Sequence, residues 1–106
     1  MNDPTCLEQL YDAGGAPNFD ALVARSYDHG SPPDEAPTPT AVKFRRVELL
    51  RDVMVAHGDA ARPIYVNEAG WNDRPRWTSG VSPIQRVEYT IKAHDWARRH
   101  WPWCTC

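Results

Sequence analysis

The stretch Pro63-Ile64-Tyr65-Val66-Asn67-Glu68-Ala69-Gly70-Trp71 decides how this chain is to be read. Ile64, Tyr65 and Val66 favour extended backbone, and Pro63 stands where a strand tolerates proline, at its first residue or edge. The run reads as a short buried strand that carries Glu68 to its C-terminal rim, with Gly70 and Trp71 directly after. In parallel α/β folds the rim at the strand C-termini is where chemistry is placed, so Glu68 is a site candidate. Strict alternation puts Glu68 on the face of Ile64 and Val66, with Tyr65 and Asn67 on the other.

Upstream, Asp3-Pro4 starts a helix: Asp offers a capping oxygen and Pro suits the first helical position. Leu7, Leu10 and Tyr11 fall at helical spacing, and Gly14-Gly15 ends the segment. Phe19 to Tyr27 contains Ala21-Leu22-Val23-Ala24, an apolar run that suits a strand covered on both faces. Asp28 to Thr40 holds Pro32, Pro33, Pro37 and Pro39, which forbid regular structure; a loop this long suggests a functional role. Asp28, His29, Asp34 and Glu35 are expected to be solvated there. An amphipathic helix is expected over Ala41 to His57, with Phe44, Val47, Leu50 and Met54 as its apolar stripe and Gly58 as its stop.

Downstream of the Glu68 strand, a second rim loop spans Ala69 to Val81. Ser82-Pro83-Ile84-Gln85 is a capping box. The helix it opens reaches about His100, with Ile84, Val87 and Ile91 expected on its buried side, and Pro102 prevents continuation. The order is α-β-α-β-α, the alternation of an α/β fold with parallel strands. Two strands leave faces and edges uncovered, so the chain reads as a slice of something larger.

Size and composition bound the function. The 106 residues suffice for one domain and not two. With 12 basic against 14 acidic residues there is no footprint for nucleic acid. No run of about 18 apolar residues suggests a membrane span. Met1-Asn2-Asp3 leads into polar sequence, so no signal peptide is expected. Three cysteines, Cys6, Cys104 and Cys106, define no disulfide framework and no redox compartment.

These residues together resemble the (β/α)₈-barrel glycoside hydrolases of clan A, the cellulase-like and xylosidase-like group. Phe19-Asp20-Ala21-Leu22 leading to Tyr27 looks like that clan's sixth strand. Pro63 to Trp71 looks like the seventh, where the nucleophilic glutamate sits, commonly within Thr-Glu-Phe-Gly-Trp. The similarity continues through Phe44-Arg45-Arg46-Val47-Glu48-Leu49-Leu50-Arg51 and from Gln85 to Trp103. Asn67 stands where the clan often has Thr, Ala69 where it often has Phe, and Arg25 where relatives often carry His. The resemblance implies a fragment of a TIM barrel, residues 1–106 covering about the fifth helix to the seventh. It also implies retaining hydrolysis of a β-linked saccharide, with Glu68 as nucleophile. The acid/base glutamate of the fourth strand is expected upstream. An eighth strand is expected after Trp103, where Cys104-Thr105-Cys106 instead reads like an out-of-frame tail.

Retaining hydrolysis needs two carboxyl groups about 5–5.5 Å apart, so one carboxylate predicts an inactive fragment. Tyr27, at the preceding rim, is placed to hydrogen-bond Glu68 and hold it. Trp71 and Trp77 could each cover the apolar face of a pyranose or pack the loop, packing being favoured for Trp77. Asn72 and Asp73 between them could take the sugar's hydroxyls. Arg25 could contact the sugar or Glu68, or pair with Asp20 or Asp28, the pairing being favoured. The expected partners are a carbohydrate and, for stability, the missing barrel half or a second copy; neither nucleic acid nor a membrane is expected.

Two other classes compete. A zinc module would use His94, His100, Cys104 and Cys106, but Cys-x-Cys is not the usual spacing and Pro102 stiffens the link. No metal and no cofactor is therefore expected. A non-catalytic α/β binding or vestigial module is the alternative to an enzyme. Arg98, Arg99 and His100 suit a helix C-terminus, where positive charge opposes the dipole. No Gly-x-Ser-x-Gly or paired Cys–His signature supports nucleophilic catalysis by Ser or Cys.

Overall fold

The computed structural model describes residues 3–74 and 80–105. They form a mixed α/β fold with α1 (Asp3–Asp12), β1 (Leu22–Tyr27), α2 (Val47–Ala56), β2 (Ile64–Gly70) and α3 (Pro83–His100). The strands pair in parallel as a two-stranded sheet.

α1 buries Leu7 and Tyr11, one turn apart, while Leu10 stays 45% exposed. Gly14 ends the helix with φ 81°, a left-handed conformation that costs glycine little. The chain then makes a 3₁₀ turn at Ala16–Asn18, so β1 starts at Leu22 rather than at Phe19. Phe19 instead packs edge-on against Tyr11, with Arg62 over its ring.

β1 is not covered on both faces as the apolar run suggested. Ala24 and Ser26 are buried, whereas Val23, Arg25 and Tyr27 on the other face are exposed. The helices all pack on the first face. Phe44, Val47 and Met54 bury there against Ile64, and Met54 and Ile64 are entirely inaccessible. Each such side chain contributes about 1.5–3 kcal/mol by leaving water.

The segment expected to be helical from Ala41 starts later. A 3₁₀ turn at Phe44–Arg46 leads into α2, because Asp28 accepts the Phe44 amide and pins the entry. Asp28 is therefore not solvated: it is 3% exposed, and its other oxygen takes the Ser31 amide. Glu35 is exposed as expected, and Lys43 bonds it at 2.8 Å and holds its carboxyl below the usual range.

The capping box of α3 forms as the sequence reads: Ser82 accepts the Gln85 amide and Gln85 returns a bond to the Ser82 amide. The expected buried face is wrong. Ile84, Val87 and Ile91 are 71%, 56% and 66% exposed, and the helix docks through Ala93 with Tyr89, Trp96 and Ala97. The small Ala93 lets the helix approach, and the aromatic side chains around it fill the gap.

Glu48 on α2 is the polar anchor of this packing. It accepts the indole N–H groups of Trp96 and Trp101 and a two-pronged bond from Arg45, whose guanidinium lies over Trp96. Burial pushes its carboxyl up, but these donors together outweigh burial and hold it below the ordinary glutamate range.

The tail after α3 is also placed. Ile64 gives its amide to Trp103 and takes the amide of Thr105, forming a parallel bridge with Cys104. A strand residue's N–H and C=O point to the same side, and β1 is engaged through Pro63, so Cys104 lies on the opposite edge of β2. In the tail expected to read out of frame, Cys104 makes an isolated parallel bridge with Ile64. Cys106 lies outside the described residues.

Candidate functional site

The site is made by a break in the sheet register. Ala24 pairs with Val66, but the next residue, Arg25, pairs with Glu68, leaving Asn67 as an extra residue in β2. Such a bulge shifts the side-chain count by one. Glu68 therefore leaves the face of Ile64 and Val66, where alternation put it, and joins Val23 and Tyr65 on the face without helices. There the Tyr27 hydroxyl donates to Oε2 of Glu68, and the Arg25 Nε lies 3.5 Å from the same oxygen. The ion pair of Arg25 is thus with Glu68 and not with Asp20 or Asp28. The bond to Glu68, before other causes, raises the Tyr27 phenol above its ordinary value.

Next to this triad opens a cleft of about 490 Å³, walled by Tyr27, His29, Trp71, Asn72, Arg74 and Arg86, among others. Tyr27 belongs to both, whereas Glu68 is not on the cleft wall. Gly70 turns the chain out of β2 with φ 145°, a region that side-chain-bearing residues avoid. Its carbonyl accepts the Asp28 amide, which joins the two rims.

Trp71 is a packing residue. It is 8% exposed, packs between Phe44 and Tyr89, and donates its indole N–H to the Ser31 carbonyl. Too little ring is free to cover a pyranose face. Asn72 turns its side chain inward on the loop, accepting the Arg74 amide, and its carbonyl takes the Val81 amide. Trp77 lies outside the described residues.

The chain matches no family model, no curated protein and no solved structure. The geometry alone therefore carries the functional reading.

Chemically, the open face offers one carboxylate with a phenol and a guanidinium on one of its oxygens. Both contacts fall on Oε2, and Oε1 has no donor among the described residues. Among the described residues no second carboxylate pairs with Arg25 or Tyr27, and the neighbouring Asp3 pairs with Arg46. Nor do three His, Cys, Asp or Glu side chains converge on a common point among them. His94 bonds the Thr90 carbonyl and His100 packs on Trp96, so these histidines are otherwise engaged. No described helix is long and apolar enough to cross a membrane.

Sequence reasoning missed His29, Arg74 and Arg86 on the cleft wall. The signal for Arg86 was present: it lies one turn into the helix opened by Ser82, next to the rim loop. Asp28 could have been recognised too, since Asp-x-x-Ser is the spacing of a side chain closing its own turn.

Proposed function

We propose that this chain is a sector of a (β/α)₈ barrel from a retaining glycoside hydrolase acting on a β-linked saccharide, with Glu68 as nucleophile. The observation that carries the reading is the bulge at Asn67, which turns Glu68 at the C-terminal end of β2 to the open face and into contact with Tyr27 and Arg25. Bulges that re-aim one side chain are common beside active sites. Three further features support it: adjacent parallel strands, helices on one face only, and Cys104 pairing on the far edge of β2. In a barrel the open face would line the interior, and the C-terminal rim would carry the site.

In this mechanism ionised Glu68 attacks the anomeric carbon while a second carboxylic acid, about 5–5.5 Å away, protonates the leaving oxygen. That acid comes from another strand. The test is Glu68→Ala in a protein that joins this sector to the rest of a barrel. Turnover should fall by several orders of magnitude, and azide should restore it with inverted product configuration. Near-normal turnover would overturn the assignment. The cleft is built wholly from this chain, which favours a second reading, a saccharide-binding module without hydrolysis of its own.

A further inference from the structure

We infer that the cleft beside Tyr27 is built for an anionic saccharide, one bearing a carboxylate such as a uronic acid. This rests on the saccharide reading above and narrows its substrate class. The inference follows from how the charges on the cleft wall are spent. Of its two carboxylates, Asp28 is 3% exposed and gives both oxygens to the amides of Ser31 and Phe44. Asp73 is half spent as well, its Oδ2 lying 3.5 Å from Nε of Arg86. On the cationic side, the guanidinium of Arg74 has no partner among the described residues, although its backbone amide is bonded to Asn72. Arg86, whose side chain is 53% exposed, and the exposed His29 ring stand on the same wall.

Among its side chains the cleft thus carries one guanidinium with no described counter-charge and no carboxylate that is wholly free. A neutral sugar needs donors and acceptors, because each hydroxyl donates as well as accepts. A carboxylate only accepts, and a guanidinium fork meets it with two parallel N–H bonds. Arg74 is therefore assigned the substrate carboxylate, with Arg86 and His29 on its flank.

The probes are methyl β-D-glucuronide and methyl β-D-glucoside, which differ only in a carboxylate against a hydroxymethyl group. Binding to the 106-residue chain is followed by backbone amide and indole N–H shifts, with the Trp71 indole and the Gly70 and Asn72 amides reporting on the cleft. The glucuronide should bind about tenfold tighter or better, as a charge-assisted bond implies. The preference should shrink with salt and disappear in Arg74→Gln. Equal affinity for the two sugars, or an undiminished preference in Arg74→Gln, overturns the inference and leaves the saccharide reading standing. Acetate binding as tightly as the glucuronide would mean an anion site without sugar recognition and also overturns it. Failure of both sugars to shift the cleft signals removes the inference and the saccharide reading together.

Discussion

At the residue scale the decisive contact is Tyr27 with Glu68. The two side chains lie 41 positions apart in sequence and meet only because β1 and β2 are adjacent. Their coupling is directly measurable, because the phenol that donates to a carboxylate is harder to deprotonate. In Glu68→Gln the Tyr27 titration, followed by ring carbon shifts or by absorbance of the phenolate, should move down toward the ordinary tyrosine value. An identical titration in both proteins would show that the contact does not form in solution. Tyr11 serves as the internal control: burial first, and then its bond to Asp59, pushes its phenol up to about 12, and Glu68 has no part in that.

At the element scale α3 corrects a reading that periodicity made attractive. Ile84, Val87 and Ile91 do form a helical stripe, yet the helix docks by the side carrying Ala93. Periodicity locates an apolar stripe but does not say whether a partner is present to cover it. Two substitutions separate the faces. Ile91→Lys should change folding stability by no more than about 0.5 kcal/mol, as expected for a solvated position. Ala93→Leu should cost about 1–3 kcal/mol, because added methylenes have nowhere to go in a packed contact. Denaturant midpoints measured on both variants decide it, and the reverse ranking would restore the face expected from sequence. β2 teaches the same lesson at its bulge, where one unpaired residue moves the catalytic candidate from one face of the sheet to the other.

At the scale of the whole molecule the chain is under-covered. It exposes 6807 Å², where a self-contained protein of its 12.0 kDa exposes about 6,000 Å². Its radius of gyration of 14.6 Å exceeds the value of about 13 Å usual for this length. Large apolar side chains stay exposed on the open sheet face, with Val23 and Tyr65, and along the α3 stripe. The free edge of β1 adds unpaired backbone groups, a template for further strands. The chain alone should therefore self-associate as its concentration rises, which sedimentation velocity would detect. Val23→Lys combined with Ile91→Lys should suppress this without unfolding the core. A wild-type chain that stays monomeric at every concentration would contradict it.

Sequence by itself determined the local elements and their order. Capping at Ser82, stops at Gly14 and Gly58, and the strand after Pro63 depend on residues a few positions apart, so they could be read directly. It also singled out Glu68, and it placed Tyr27 at the neighbouring rim. Only the tertiary structure decided which face each side chain serves. The bulge at Asn67 depends on β1 and β2 pairing across the sheet, so alternation along one strand could not reveal it. Asp28 became a buried cap because Phe44 approaches it from 16 residues away. Trp71 became a core residue because Phe44 and Tyr89 close on its ring. Cys104 acquired a strand partner because α3 returns the chain to the open edge of β2. Local propensity is a property of neighbours in sequence, whereas burial and contact are properties of neighbours in space.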